Sequence, residues 1–393
     1  MRIPEDVEKI IEILNSGGFE AYAVGGCVRD TLLEKEPDDW DITTSAKPEQ
    51  VKALFKRTID TGIQHGTVTV MQNRVGYEVT TYRIDGEYED GRHPNHVEYT
   101  ADLLEDLKRR DFTINAMAYS HESGIVDAFG GVQDLENHVI RCVGNPCDRF
   151  TEDALRILRA LRFSAQLGFQ IEEETGNAVR KLAPNLVHVS RERIQVELTK
   201  LLLSDHPDTV KQLFDMGLVP WIFDPVPDLS PEKIQIPVSL PKEKHIRWAA
   251  LLEQLSPDQA EELLRGLKLD NDTIARTKTL VAWRFRDIPE DKPGIRRVMS
   301  QMSRELYEDL LKLQKASAAG EALASLCRVE DKSREIRQAG DPLSLKELAV
   351  DGGDLIEAGV KPGKEMGRLL NSFLDQVLED PERNRREYLL AQI

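Results

Sequence analysis

The sequence predicts a small α/β domain over residues 1–146, followed by helices from residue 147 to the end of the 393-residue chain. Short runs of β-branched and aromatic residues alternate with Gly and Asn turns in the first part. From about residue 150 onward, apolar residues recur at spacings of three and four, which is the period of an α-helix. Proline-rich breaks divide the helical part further. We therefore expect four segments: 1–146, 147–205, 206–300 and 301–393.

The elements of the first part are predicted in chain order. Apolar spacing favours a helix from Val7 to Leu14, and a short strand at 21–24 ends at a Gly-Gly turn with a helical stretch after it. Further strands are expected at 40–44, 67–71, 77–82, 126–129 and 139–143, the second and third of these forming a hairpin. One uninterrupted amphipathic helix is expected to span 148–163 and beyond.

Composition limits the function classes. Hydrophobic residues make up 40% of the chain and no run of about 18 apolar residues occurs, so we expect no membrane span and a cytoplasmic protein. The four cysteines form no CxxC pair, which favours reduced thiols without a metal. The net charge of −17 argues against a nucleic-acid partner. A local cluster of arginines can still bind phosphate, so the position of the arginines decides this question.

A Gly-Gly turn and an acidic pair lie close together in the sequence. Gly25 and Gly26 allow close backbone approach to a phosphate, and Arg29 adds a bidentate donor. Asp39 and Asp41 would point to one face if they lie on a strand, as two ligands for Mg²⁺. Taken separately, each feature is more often an ordinary turn or an acidic loop. Their proximity favours a metal-dependent reaction on a phosphate.

Two further groups extend this candidate site. Glu78, on a predicted strand, is either a third carboxylate beside the aspartates or a solvent-facing side chain. In the block 109–116, the two consecutive arginines Arg109 and Arg110 can reach a triphosphate. Asp111 and Asn115, four residues apart, can share a ribose hydroxyl. The same block is also compatible with an ordinary capped helix start.

The predicted helix over 148–163 has one apolar and one charged face. The charged face carries Glu152, Asp153, Arg156, Arg159 and Arg162, which suits either a salt-bridged surface helix or a nucleotide site. An Asp beside an Arg presents acceptors next to donors, which complements the amine and ring nitrogen of cytosine and adenine. Uracil and guanine reverse that pattern and leave polar groups unpaired. The helix can therefore select C and A without a template, while its later arginines hold a triphosphate.

These motifs resemble the class II tRNA nucleotidyltransferases, or CCA-adding enzymes, of the DNA polymerase beta-like superfamily. The resemblance rests on GGCVRD at 25–30, DWD at 39–41, RRDFTINAMA at 109–118, DAFGG at 127–131 and RFTEDALRILRALRF at 149–163. It continues through SRERI at 190–194 and, more weakly, through 348–370, and so covers most of the chain.

The resemblance implies a seahorse-like arrangement of an α/β nucleotidyltransferase head and an all-α neck, body and tail. It implies two Mg²⁺ ions, CTP and ATP as substrates, and tRNA as acceptor. Asp39 and Asp41 would be the metal ligands. Nucleotide contacts would come from residues that match the family's motifs, namely Gly26, Arg29, Arg110, Asp153, Arg156, Arg159 and Arg162.

The tail is expected to grip the tRNA elbow by shape and phosphate contacts. Lys361 and Lys364, at a predicted helix start, are candidates for that role or else part of a solvated turn. The family's flexible loop corresponds to 85–95, where Arg92-His93-Pro94 stands in place of the two arginines before proline that we expect in close relatives. This departure bears on the role of that loop.

Four rival functions remain compatible with parts of the sequence. The intact loop at 85–95 argues against an enzyme that adds only CC, whereas an enzyme that adds only the final A stays open. A bacterial poly(A) polymerase shares the head, but usually carries a strongly basic C-terminal extension, and 371–393 has only Arg383, Arg385 and Arg386. A catalytically silent RNA-binding scaffold is disfavoured by the intact Asp39 and Asp41.

Overall fold

The structure is a computed structural model, and it describes residues 1–85 and 97–393. The predicted loop at 85–95 therefore lies, apart from Asp85, outside the described residues. The chain forms two compact units. The first comprises residues 1–226 and 266–268, and the second comprises 227–265 and 269–393. The four-segment division remains a prediction.

The first unit contains a seven-stranded mixed sheet in the order β3-β4-β5-β2-β1-β8-β9. Only β2 and β5 pair in parallel, and the other neighbours in this sheet are antiparallel. Two small two-stranded sheets, β6-β7 and β10-β11, accompany it. The strands are β1 (Ala21–Val24), β2 (Ile42–Thr44), β3 (Thr58–Gly62), β4 (Thr67–Gln72), β5 (Val75–Thr81), β6 (Arg83–Asp85), β7 (Val97–Tyr99), β8 (Ala118–Ser120), β9 (Gly124–Val126), β10 (Val139–Ile140) and β11 (Gln170–Ile171).

The first unit also contains the helices α1 to α11. They are α1 (Glu5–Ser16), α2 (Gly26–Leu32), α3 (Pro48–Leu54), α4 (Leu103–Lys108), α5 (Gly131–Glu136), α6 (Pro146–Glu152), α7 (Leu155–Leu167), α8 (Glu173–Leu182), α9 (Arg191–Leu202), α10 (Gln212–Asp215) and α11 (Val219–Ile222). Among them, α4 is anchored by Leu103 and Leu107, which pack with Val24 of β1 and Ala118 of β8 in one buried cluster. This packing fixes α4 against the centre of the sheet.

The second unit has helices and no named strand among its described residues. Apolar spacing in its sequence produces amphipathic helices that bury one face each. The helices are α12 (Lys244–Leu251), α13 (Pro257–Gly266), α14 (Asn271–Trp283), α15 (Lys292–Met299), α16 (Arg304–Ser317), α17 (Gly320–Ala339), α18 (Gly352–Glu357), α19 (Lys364–Glu379) and α20 (Arg386–Leu390). Across the described parts of the chain, no helix is long and apolar enough to span a bilayer.

The predicted fold class, an α/β domain followed by helices, is confirmed. The hairpin is present as β4 and β5, whose two-residue turn puts Asn73 and Arg74 at positive φ. Four local predictions are wrong. Strand β2 begins at Ile42 rather than residue 40, residues 127–129 are not a strand, β10 ends at Ile140, and β11 interrupts the helical part.

The predicted continuous helix over 148–163 is also wrong. It is split into α6 and α7 at Asp153, whose φ of −141° and ψ of 104° are extended. The Asp153 carboxylate accepts a hydrogen bond from the backbone N of Leu155 at 3.0 Å and so satisfies the N–H of the first residue of the second helix. The same carboxylate is paired with Arg193 of α9 at 2.7 Å. The apolar periodicity of the sequence therefore continues through a position at which the helix itself is interrupted.

Candidate active site

An open cleft of about 480 Å³ lies in the first unit between the segments that follow β1 and precede β2, which are internal strands of the sheet, and the helices α7 and α9. Seven arginines and four aspartates line it, so the cleft is locally cationic although the chain carries −17. This answers the question that the net charge raised, since a polyanion can bind here. The lining residues are Gly25, Gly26, Arg29, Asp39, Asp41, Arg109, Arg110, Asp111, Asn115, Asp153, Leu155, Arg156, Arg159, Arg162, Phe163 and Arg193.

The Gly-Gly turn brings backbone and arginines together at one wall. Gly25 has a φ of +80°, a conformation that L side chains rarely adopt. A Cβ at this position would lie 2.9 Å from Nη1 of Arg110, so a side chain here would also displace that guanidinium. Arg29 forms a bidentate pair with Asp30 and donates to Oδ1 of Asn115 at 2.7 Å. The turn therefore brings the guanidinium groups of Arg29 and Arg110 close to backbone that carries no side chain.

The acidic pair directly precedes β2 instead of lying within it. Trp40 between the aspartates is half-buried, and not a core residue as the strand prediction required. Ile42 of β2 pairs in parallel with Val79 of β5, so the same register puts Glu78 beside Asp41. Glu78 is exposed and does not line the cleft itself.

The electrostatics of Asp41 show that these carboxylates lie close together. Burial, together with the charges of Asp39 and Glu78, raises the pKa of Asp41 to about 6 against the opposing effect of Arg110. Concentrated negative charge of this kind is stabilised by a cation. Among the described residues, no three His, Cys, Asp or Glu side chains can enclose a metal ion by themselves. Two carboxylates do suit Mg²⁺, which usually takes one or two from protein and the rest from phosphate and water.

The block 109–116 is organised around two buried aspartates. Arg109 and Arg110 are both paired with Asp106 of α4. Asp111 accepts from Nδ2 of Asn115 at 3.1 Å, so the predicted proximity of these two side chains is present, in a 3₁₀ turn (Thr113–Asn115).

Asp111 is tied to α7 through Arg159. Arg159 donates to Oδ2 of Asp111 from Nε at 2.7 Å, with Nη2 of the same side chain at 2.6 Å. Burial raises the pKa of Asp111, but Arg159 and Arg156 outweigh it and hold this pKa at about 2. Asp111 is therefore ionised at neutral pH and fixes Arg159 at the base of the cleft.

The residues predicted to read the base have other partners in this structure. Arg156 donates to Oε2 of Glu152 at 2.7 Å and to the carbonyl oxygen of Arg109 at 2.9 Å. Asp153 is paired with Arg193, as described above. Asp153 and Arg156 both line the cleft, while Glu152 lies behind Arg156 and does not. The structure thus places the acceptor Asp153 and the donor Arg156 on the same wall of the cleft. Asp153 is held by Arg193, and Arg156 is held by Glu152.

Arg162 lies deeper along α7. Its Nε donates to Oε2 of Glu197 at 2.5 Å and its Nη1 to Gln166 at 2.9 Å. The guanidinium also lies over the ring of Phe163, 4.0 Å from its centroid. Burial lowers the pKa of Arg162, with a smaller contribution from the nearby Arg159 and against the opposing effect of Glu197.

Three lining residues were absent from the predicted set: Leu155, Phe163 and Arg193. Arg193 carries the strongest signal, because its Nη1 is buried without a hydrogen-bond partner among the described residues, as is Nε of Arg110. Unsatisfied buried donors in a cleft favour an anionic or hydrogen-bonding ligand. Arg193 lies in the motif SRERI, so the sequence marked this residue, but it did not indicate that Arg193 pairs with Asp153.

The two lysines predicted to contact tRNA lie in the second unit. Lys361 and Lys364 are both exposed, and α19 begins at Lys364 after Gly363, as the sequence predicted. Their role remains a prediction.

Three family profiles match consecutive parts of the chain. The profile described as the poly(A) polymerase head domain matches residues 21–141. One described as an RNA- and SrmB-binding site of polymerase A matches 168–232, and one described as tRNA nucleotidyltransferase domain 2 matches 240–393. Together these profiles place a nucleotidyltransferase head before two helical regions, in the same order as the resemblance implied.

Full-length relatives give a more specific result. The chain is 38% identical to the CCA-adding enzyme of Limosilactobacillus reuteri, over 99% of this chain and 96% of the relative. It is 38% identical to the CCA-adding enzyme of Enterococcus faecalis, over 98% and 95% respectively. The crystal structure of the Bacillus stearothermophilus CCA-adding enzyme in complex with CTP matches with a TM-score of 0.85 and 30% identity, over 100% of this chain and 97% of that one.

Proposed function

The chain belongs to the CCA-adding enzyme family, the tRNA nucleotidyltransferases, and we propose how its cleft adds CMP and AMP to the 3′ end of tRNA. One observation carries the proposal. The acidic pair Asp39 and Asp41, the arginine-rich wall and the base-reading candidates Asp153 and Arg156 all line one cleft. A single bound nucleotide can then contact the acidic pair, the arginines and the base-selecting residues at the same time.

In the proposed reaction, the 3′-hydroxyl oxygen of tRNA attacks the α-phosphorus of CTP or ATP. The bond from that phosphorus to the bridging oxygen breaks, pyrophosphate leaves, and the hydroxyl proton is lost to solvent. Asp39 and Asp41 would hold Mg²⁺, with Glu78 adding negative charge beside them. When bound, two Mg²⁺ ions would acidify the hydroxyl and neutralise charge on the phosphates. Positioning supplies most of the remaining catalysis, as in other phosphoryl transfers.

The arginines of the cleft would bind the triphosphate. Arg110 has a buried, unpartnered Nε and lies against the bare backbone of Gly25. Arg29 stands on the same wall, close to Gly26. Arg159 and Arg162 are held by Asp111 and Glu197. These ion pairs keep the cations in place before the nucleotide arrives, so binding loses less side-chain entropy.

The wall formed by Asp153 and Arg156 would select the base. A nucleotide must exchange hydrogen bonds with these two side chains, whose present partners are Arg193 and Glu152. Cytosine and adenine offer a donor beside an acceptor and satisfy both groups, whereas uracil and guanine leave them unpaired. Each unpaired buried group costs about 1–3 kcal/mol. That cost corresponds to roughly fivefold to 150-fold discrimination per group.

The Arg156→Ala variant tests this assignment. We expect incorporation of CMP and AMP to fall and the preference over UMP and GMP to narrow by about tenfold to a hundredfold, because the donor half of the edge is removed. Single-turnover assays with each of the four nucleotides, on tRNA lacking CCA for CMP and on tRNA lacking only the final A for AMP, measure this ratio. Arg180→Ala, at an exposed position on α8, is the matched control. An unchanged ratio in Arg156→Ala would remove Arg156 from base selection.

Lys361 and Lys364 would bind tRNA phosphates beside the start of α19. Replacing both with Ala should weaken tRNA binding and lower the slope of log Kd against log salt by about one for each phosphate that is no longer neutralised. Incorporation at saturating tRNA should stay unchanged. Lys346→Ala, at another exposed lysine of the second unit, serves as the comparison. Equal slopes for all three proteins would exclude these lysines from the tRNA interface.

A further inference from the structure

One fully buried carboxylate lies beneath the cleft and is not used in the proposed reaction. Asp106 of α4 has no exposed surface. Its Oδ1 accepts hydrogen bonds from the backbone N of Arg83 at 3.3 Å and from Nε and Nη2 of Arg109 at 3.0 and 2.8 Å. Its Oδ2 accepts from Thr43 at 3.2 Å and from Nη2 of Arg110 at 3.4 Å. The carboxylate therefore joins α4 to two strands and to both arginines that follow the helix.

The free-energy cost of burying this carboxylate indicates that it has a role other than stabilising the fold. An isolated buried carboxylate is strongly unfavourable, and an apolar residue at the same place would often be at least as stable. Asp106 stays ionised because Arg109 and Arg110 outweigh its burial and lower its pKa. Its helix, α4, is fixed by Leu103 and Leu107 in the core against the sheet. The carboxylate is therefore a rigid anchor for the side chain that reaches into the cleft.

Arg110 is the side chain that depends on this anchor. It extends past Gly25, where its Nη1 lies 2.9 Å from the position that a Cβ would take, and it lines the cleft together with Asp41. Asp106 provides the one ion pair of Arg110 among the described residues. Without that pairing, the flexible guanidinium would be free to turn toward Asp41 or into solvent, and ordering it would cost entropy at every binding event.

We propose that Asp106 is a positioning residue that holds Arg110 in the orientation that receives the triphosphate. The two oxygens of Asp106 have separate tasks. Oδ2 orients Arg110, while Oδ1 fixes Arg109, whose carbonyl oxygen in turn holds Arg156 on the base-selecting wall. This inference rests on the proposed role of Arg110 in nucleotide binding. It adds a residue that contacts neither substrate nor metal.

The D106N variant separates these two tasks. An asparagine keeps its oxygen toward the three donors that Oδ1 serves, so its amide nitrogen replaces Oδ2 and faces the donor Nη2 of Arg110. We expect the KM for both CTP and ATP to rise about tenfold to a hundredfold, which is the effect typical of removing one charged hydrogen bond. The preference for C and A over U and G should stay the same, because the hydrogen bonds of Arg109 are kept. General loosening of the fold would change both properties.

A double-mutant cycle with R110Q makes the test decisive. If Asp106 acts through Arg110, D106N should add less than about twofold to the KM of R110Q. If the KM of the double variant rises by the product of the two single effects, the proposal is overturned. An unchanged KM in D106N alone would also overturn it. D309N is the matched control, since Asp309 of the second unit is also buried and paired with Arg276 and Lys312. We expect D309N to leave the KM for CTP unchanged.

Two precautions keep the outcome interpretable. If D106N does not fold, D106E retains the charge but displaces it by one methylene, and the same cycle with R110Q applies. Failure of the proposed function is detected separately, because the unaltered enzyme would then not incorporate CMP or AMP at all. A normal KM in folded D106E and D106N, with an active parent enzyme, refutes the positioning role alone.

Discussion

Replacing Asp41 with Asn should abolish nucleotide addition and, in the absence of metal, make the protein more stable. Asp41 is held ionised in a half-buried position beside Asp39 and Glu78, and its pKa is raised from 3.8 to about 6. Two pKa units correspond to an upper limit of about 3 kcal/mol of unfavourable charge at neutral pH. Because part of the side chain reaches solvent, we expect about 1–3 kcal/mol to be recovered in the neutral variant.

The pH dependence follows from the direction of this shift. A carboxyl whose pKa is raised on folding destabilises the native state when ionised, so the penalty is full above pH 6 and disappears below about pH 4. The gain of Asp41→Asn should therefore be largest at pH 7.5 and fall to about half at pH 5. For a unit of this size, the gain at pH 7.5 corresponds to roughly 2–8 °C in Tm.

Scanning calorimetry in EDTA, with and without added Mg²⁺, measures both effects. Mg²⁺ should raise the Tm of the parent protein and have less effect on Asp41→Asn, because the ion binds the ionised native site. Asp38→Asn, at an exposed neighbouring position, controls for removal of one negative charge. A variant that is no more stable than the parent at pH 7.5, or equally stabilised by Mg²⁺, would refute the reasoning.

Two other substitutions probe the walls of the cleft. Gly25→Ala should lower incorporation of both nucleotides at least tenfold, since the new Cβ would displace Arg110 and strain a φ of +80°; steady-state kinetics equal to the parent would contradict this. Arg193→Leu should remove the ion-pair partner of the half-buried Asp153 and destabilise the first unit by about 1–3 kcal/mol. Urea unfolding checks this second expectation, and an unchanged midpoint would show that the pair contributes nothing measurable.

The parts of the site that are close in sequence were predictable. Gly25 and Gly26, Arg29 and the acidic pair lie within 17 residues, and strand and turn preferences put them at one edge of a sheet. Helical spacing placed Arg156 and Arg159 on one face of α7. Such local patterns depend on backbone geometry alone, which the sequence expresses directly.

The long-range contacts could not be predicted in the same way. Asp153 pairs with Arg193, 40 residues later, and that pairing accompanies the break that separates α6 from α7. A continuous apolar period concealed this break, because the periodicity of burial does not report which polar groups meet across the fold. Asp106 was missed although Arg109 and Arg110 follow it closely, because its burial and its contacts with Thr43 and Arg83 arise only in the fold.

Catalysis of CCA addition is the central claim, and tRNA transcripts of three lengths test it most directly. Purified protein, Mg²⁺, CTP and ATP are incubated with tRNA that lacks CCA, lacks only the final A, or is complete, and the products are separated at single-nucleotide resolution. We expect extension by three residues, by one and by none, with no product when Asp39 and Asp41 are both replaced by Ala. Extension of the A-lacking tRNA alone would show an A-adding enzyme, and a long adenylate ladder would show a poly(A) polymerase; either result would contradict the account.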